Sequence, residues 1–251
     1  MIDLNSDMGE RPEALADGSE ERLMRLISSA NIACGVHAGD PTTMEAVVGL
    51  AKKYGVGVGA HPSFPDRANF GRAQMHLPEE QISQTVFHQV RSLGIICERL
   101  GVELRHAKPH GALYIMAVSN AGIAHAIADG VARWSKELIL VGLAGSKMLD
   151  VWRKAGFRVA AEAFADRRYE PDGSLRARSH PDALITDPTA AAEQALAIVT
   201  HRMVRAVDGS VIVIQADTVC VHSDTPGAYE LLKRVRRELE QCGIEIAPFA
   251  M

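Results

Sequence analysis

Four of the chain's histidines stand where an apolar run has just ended. They are His37 in ANIACGVHAGDP, His61 in VGVGAHPSFPD, His110 in LRHAKPHGALY and His222 in DTVCVHSD. Other chemistry-bearing side chains fall at the same kind of place. Asn5, Asp7 and Glu10 follow the first apolar run, and Asp40 follows His37. Arg67 and Arg72 follow His61, and Lys108 directly precedes the proline before His110. Glu162 lies inside RVAAEAF, which runs into Asp166, Arg167 and Arg168. A carboxylate in so apolar a run needs a partner, Lys108 or an arginine. Imidazoles and carboxylates move protons near neutral pH. Guanidinium and ammonium groups hold phosphates and carboxylates. An aspartate with two histidines, here Asp7, His37 and His61, is a competent divalent-metal set. A single histidine at a strand end ordinarily fixes a loop. Four at equivalent places point to a shared site.

Such a site needs an architecture that brings distant positions to one end. Short apolar segments read as strands at 2–5, 31–34, 56–60, 104–108, 138–143, 158–164 and 217–222, with a last short one at 244–247. Helical periodicity fills the gaps. Met44, Val47, Val48, Ala51 and Tyr54 share one face, as do Ile82, Val86, Val90, Leu93, Cys97 and Leu100. Ala228, Leu231, Leu232, Val235 and Leu239 form another. Asp40-Pro41, Asp187-Pro188 and Thr225-Pro226 each read as a capping side chain before a proline at the first helical turn. Repeated strand–helix alternation with right-handed crossovers gives a parallel sheet. The number of units favours an irregular (β/α)7–8 barrel, one domain over residues 1–251. The polar stretch 167–187 interrupts the rhythm as an inserted loop or lid. In such a barrel the C-terminal strand ends share one face, where catalysis sits.

Composition narrows the classes. Hydrophobic residues make up 47% of the 251, which excludes global disorder. The formal net charge is −4, without a basic block, which argues against nucleic acid as a partner. No apolar run is long enough to span a membrane, and the N-terminus does not read as a signal peptide. The four scattered cysteines, with no CxxC, fit reduced thiols in the cytoplasm, and Cys34 reads as a small buried hydrophobe. Apart from His106 and His110 there is no HxxxH spacing, and there is no HxH or HExxH, so any metal rests on the fold alone. The stretch Gly142 to Lys147 lacks P-loop spacing.

Taken in order, DLNSDMGE, SANIACGVHAGDP, GAHPSFPD with FGR, KPHGALY, LVGLAGS, FADRRY and ADTVCVHSD resemble the LamB/YcsF family over nearly the whole chain. The resemblance implies a barrel of the glycoside hydrolase/deacetylase type. It implies a 5-oxoprolinase activity, the ATP-driven opening of the small-molecule lactam 5-oxo-L-proline to L-glutamate with ADP and phosphate released. It also implies that the chain works within a multi-subunit complex, with partner subunits B and C, and that ATP is a co-substrate, bound by this chain or with a partner subunit. On this reading the catalytic set is Asp7, His37, His61, His110 and His222. Substrate and phosphate contacts fall to Asn5, Glu10, Arg72, Lys108, Asp166 and Arg167. Two positions depart from the family pattern: Ile115 after KPHGALY, and Ser223 between His222 and Asp224. Two other readings stay open: an ATP-independent, metal-dependent amidohydrolase or carbohydrate deacetylase, and a non-catalytic subunit that presents a partner surface.

Overall fold

Parallel strands covered by helices are buried on both faces and therefore read as unbroken apolar runs. The computed structural model describes residues 1–249; its barrel strands follow this pattern apart from the first, Asp3–Met8, which is buried but reads DLNSDM, and the half-buried start of the fourth, Leu104–Ala107. Six strands arise where the runs are: β1 (Asp3–Met8), β2 (Ser29–Ala33), β3 (Gly57–His61), β4 (Leu104–Ala107), β5 (Ile139–Leu143) and β6 (Val159–Phe164). A short antiparallel pair follows, β7 (Met203–Arg205) with β8 (Val211–Val213), which hydrophobic periodicity does not reveal because each arm is three residues long. Strand β9 (Thr218–Cys220) completes a closed parallel barrel in the order β1-β2-β3-β4-β5-β6-β9.

The anticipated strand at 244–247 does not join the barrel. It makes one isolated bridge, Ile2 to Ile246. The reason is closure: β1 already pairs with β2 on one side and β9 on the other, so no edge is left to extend.

The helical faces read from periodicity are the buried ones. Met44, Val47, Val48 and Ala51 of the helix Pro41–Tyr54 pack inward, as do Ile82, Val86, Val90, Leu93 and Cys97 of Glu79–Leu100. Asp40 accepts the Thr43 amide at 2.8 Å, and Asp187 accepts the Ala190 amide at 2.8 Å, as capping side chains do. Thr225 does not cap. The last helix begins at Ala228 behind Gly227, and the Thr225 hydroxyl donates instead to the buried carboxylate of Asp166 at 2.6 Å. Residues 167–187 fold back on themselves through the bridges Arg167–Leu184 and Tyr169–Leu175. Leu175, Ala177 and Arg178 from this stretch reach the mouth of the barrel.

Candidate active site

Six of the seven barrel strands deliver the polar residues to one place. The floor is built around Lys108, just past β4. Its ammonium lies 2.9 Å from Asp7 Oδ1 and 2.8 Å from Glu162 Oε1, with Cys220 Sγ at 3.3 Å. All four residues are buried. Neutral donors fill the remaining acceptor positions. Asn5 Nδ2 donates to Glu162 Oε1 at 3.1 Å, Tyr114 Oη to Glu162 Oε2 at 2.9 Å, and Asn31 Nδ2 to Asp7 Oδ1 at 2.9 Å. The His106 ring meets Asn31 Oδ1 at 2.9 Å, and fits because Gly59 faces it: a Cβ there would lie 2.0 Å from His106 Nε2. Burial disfavours the Lys108 charge, but Asp7 and Glu162 overcome it and hold the ammonium well above its ordinary range. Burial likewise opposes ionised Asp7, and the facing His61 and Lys108 hold its carboxyl well below the usual value.

Above this floor, two imidazoles and two carboxylates converge. His61 Nδ1 is 2.7 Å from the Lys108 carbonyl oxygen, so that nitrogen carries the proton and donates. His110 Nε2 is 2.8 Å from the Phe70 carbonyl oxygen and donates in the same way. The remaining nitrogens, His61 Nε2 and His110 Nδ1, stand 3.0 Å apart. Asp7 Oδ2 is 3.4 Å from His61 Nε2, and Glu10 Oε1 is 3.1 Å from His110 Nδ1. The turn that aims His110 needs Gly111, whose φ is +56° and where a Cβ would come within 2.4 Å of the Gly71 carbonyl oxygen.

His37 stands beside this quartet rather than in it. Its ring stacks on His110 with centroids 3.9 Å apart, its Nδ1 meets Ser63 Oγ at 2.9 Å, and its Nε2 lies 3.3 Å from Glu10 Oε1. Burial lowers its pKa to about 4, so the ring is neutral and orients Glu10. The anticipated trio of Asp7, His37 and His61 is thus replaced, as a convergent donor set, by Asp7, Glu10, His61 and His110.

His222 belongs to a separate pair. Its Nδ1 lies 3.0 Å from Asp166 Oδ2, its backbone amide donates to the same oxygen at 3.0 Å, and its ring stacks on Phe164. Burial opposes the Asp166 charge, but His222 holds that carboxyl below its ordinary value. His222 Nε2 has no protein partner among the described residues, and the ring lines a cavity of about 260 Å³ that also exposes Asp7, His61 and His110.

The cavity rim is cationic. Arg72, Arg167 and Arg178 all line it. One carboxylate, Asp224, is shared by Arg72 at 2.5 Å and Arg178 at 3.4 Å. Asp224 thus ties the two arginines together across the rim. Arg167 is buried with Nε unpartnered, and burial together with Arg178 lowers its pKa to about 10. Arg67 turns away and donates to the carbonyls of Gly35 and Gly39. Ile115 forms part of the cavity wall, whereas Ser223 is buried behind it. Burial pushes the Cys34 thiol up to about 12, which disfavours a thiolate there.

Four participants do not stand out in the sequence: Asn31, His106, Tyr114 and Arg178. Asn31 and His106 carry a usable signal, since a polar side chain inside a strand buried on both faces must find a partner. Tyr114 lies in a helix and Arg178 in an irregular loop, where no periodicity marks them.

A model of the LamB/YcsF family matches residues 2–251. The chain is 50% identical over 245 residues to the A subunit of 5-oxoprolinase from Chloroflexus aggregans, covering 98% of this chain and 97% of that one. A lactam utilization protein from Thermus thermophilus superposes with a TM-score of 0.92 at 44% identity, covering 99% of both chains. A family 4 carbohydrate esterase from Streptomyces lividans, at 12% identity and a TM-score of 0.51 over 98% of this chain and 90% of that one, shares the fold alone.

Proposed function

The chain belongs to the LamB/YcsF family, and from that premise we propose that it opens the lactam ring of 5-oxo-L-proline to L-glutamate as the A subunit of a complex. Partner subunits B and C couple the step to ATP, which is cleaved to ADP and phosphate. The observation that carries this reading is the pairing of a buried acid–base floor with an arginine rim around one small cavity. An unactivated amide is a poor electrophile. Phosphorylating its oxygen makes the carbon attackable and adds anionic charge to the substrate.

The chain's groups fit the demands of that reaction. Arg72, Arg167 and Arg178 hold the carboxylate and phosphate. Water is held and deprotonated at the quartet of Asp7, Glu10, His61 and His110. The departing ring nitrogen takes its proton from Nε2 of His222 acting as the imidazolium, whose Nδ1–H the Asp166 carboxylate accepts. Nitrogen departure leaves an acyl phosphate, and a second water cleaves it to glutamate and phosphate. The Lys108 ammonium is occupied by Asp7 and Glu162, so its task is to order the floor rather than to grip the substrate.

The test is reconstitution with candidate B and C subunits, assaying glutamate release from 5-oxoproline and ATP. Replacing Asp7 with Asn or His222 with Gln is expected to lower kcat by about 10²–10⁴-fold, with complex formation and circular dichroism unchanged. Turnover equal to wild type in both variants would refute the assignment. Hydrolysis that needs no ATP and no partner would favour a free-standing amidohydrolase instead.

A further inference from the structure

We propose that Asp7, Glu10, His61 and His110 form a binding site for one divalent transition-metal cation, of the zinc or manganese class. The argument starts from two ring nitrogens. The second nitrogen of each histidine is committed as a donor to a backbone carbonyl, His61 to Lys108 and His110 to Phe70. The two remaining nitrogens, His61 Nε2 and His110 Nδ1, then face each other across 3.0 Å. Two carboxylate oxygens, Asp7 Oδ2 and Glu10 Oε1, point into the same gap. Four electron-pair donors facing one another in a buried space repel unless a cation lies between them.

The nearest cation does not fill that role. Lys108 bonds to the other oxygen of Asp7, Oδ1, and to Glu162. Asp7 therefore divides its two oxygens, one to the floor and one to the gap. The spacing also fits. Four ligands at about 2.1 Å around a tetrahedral ion stand about 3.4 Å apart. Four of the six separations are 3.0, 3.1, 3.4 and 3.8 Å, the last between His61 Nε2 and Glu10 Oε1, and all four ligand atoms lie within 4.8 Å of one another. Histidines that bind metals characteristically donate their far N–H to a carbonyl or carboxylate, which fixes the tautomer. Both rings do so, and His37 completes the outer support by contacting Glu10 and stacking on His110. Two imidazoles with two carboxylates suit zinc, manganese or iron(II) rather than calcium. A cation there supplies Lewis-acid polarisation at the cavity floor.

This inference does not depend on the lactam reading, and its test uses neither lactam nor ATP. The full chain, stripped with a chelator, is titrated calorimetrically with zinc, manganese and cobalt(II), and the cobalt form is followed by visible absorption. One equivalent per chain is expected. Zinc should also shift the long-range ¹⁵N signals of His61 Nε2 and His110 Nδ1. His110→Ala and the nearly isosteric Glu10→Gln should each weaken binding by more than about 100-fold, with circular dichroism confirming the fold. His222→Gln should keep the full equivalent. No stoichiometric binding by folded wild type overturns the proposal, as does binding that survives in a folded Glu10→Gln, His61→Gln double variant. Loss of the metal in His222→Gln also overturns it, because that result would move the ion to Asp7, Cys220 and His222.

Discussion

Replacing Lys108 with methionine tests whether the floor is held by charge. The ammonium sits 2.9 Å from Asp7 and 2.8 Å from Glu162, with all three side chains at most 3% exposed. Methionine keeps the bulk and leaves two buried carboxylates without their shared cation. Breaking a buried pair from one side costs roughly 3–5 kcal/mol, because the surviving charge has no water to turn to. The expected loss in guanidinium unfolding at pH 7.5, followed by far-UV circular dichroism and tryptophan fluorescence, is in that range. A double-mutant cycle sharpens the point. Glu162→Gln keeps a side chain that can pair with Tyr114 and Asn5 but removes one of the two charges. The double variant should therefore be more stable than the sum of single losses predicts, by about 1–3 kcal/mol. The control is Arg99 with Glu45, closer still at 2.5 Å but with both side chains at least half exposed. The same cycle there should give less than about 1 kcal/mol. Additivity within about 0.5 kcal/mol at Lys108 and Glu162 would refute the reasoning.

Two further outcomes follow from groups outside the cavity. Burial raises the Asp3 pKa from 3.8 to about 6, against the hydroxyls of Ser29, Thr218 and Ser28 that donate to it. Between those values the unfolded chain has released a proton that the fold retains. Asp3 thus contributes stability that is complete below about pH 4 and lost by about pH 6, roughly 3 kcal/mol in all; comparison with Asp3→Asn by unfolding at stepped pH should show that slope only in wild type. At the exposed start of the helix Pro188–Leu196, Asp187→Ala should cost about 1 kcal/mol in thermal unfolding and leave glutamate release unchanged, since its carboxylate only caps the Ala190 amide.

The strand ends are readable in sequence because each is a switch from aliphatic to polar residues, and a closed barrel collects those switches on one face. His61, His110 and Asp7 are legible this way. The division of labour among them is not. Whether His37 joins Asp7 or merely supports Glu10 depends on a ring rotation and a stacking contact, which spacing does not encode. Glu162 illustrates the reverse case. A carboxylate in an apolar strand demands a partner, Lys108 or an arginine, and the 2.8 Å contact with Lys108 satisfies that demand. The expected strand at 244–247 is absent because a local pattern cannot tell whether an edge is still open. Thr225 departs from its expected capping role because a buried carboxylate competes for its hydroxyl.

Closure through β9 carries a consequence for synthesis of the protein. That strand comes from residues 218–220, yet it must lie between β6 and β1, the latter among the first residues made. A nascent chain emerging from the ribosome holds β1 with one flank unpaired until most of its length has been translated. Glu162 and Asn5 cannot be brought across the gap, and His222 does not yet exist. Premature termination therefore yields no partly working fragment, only an open sheet with two sticky borders.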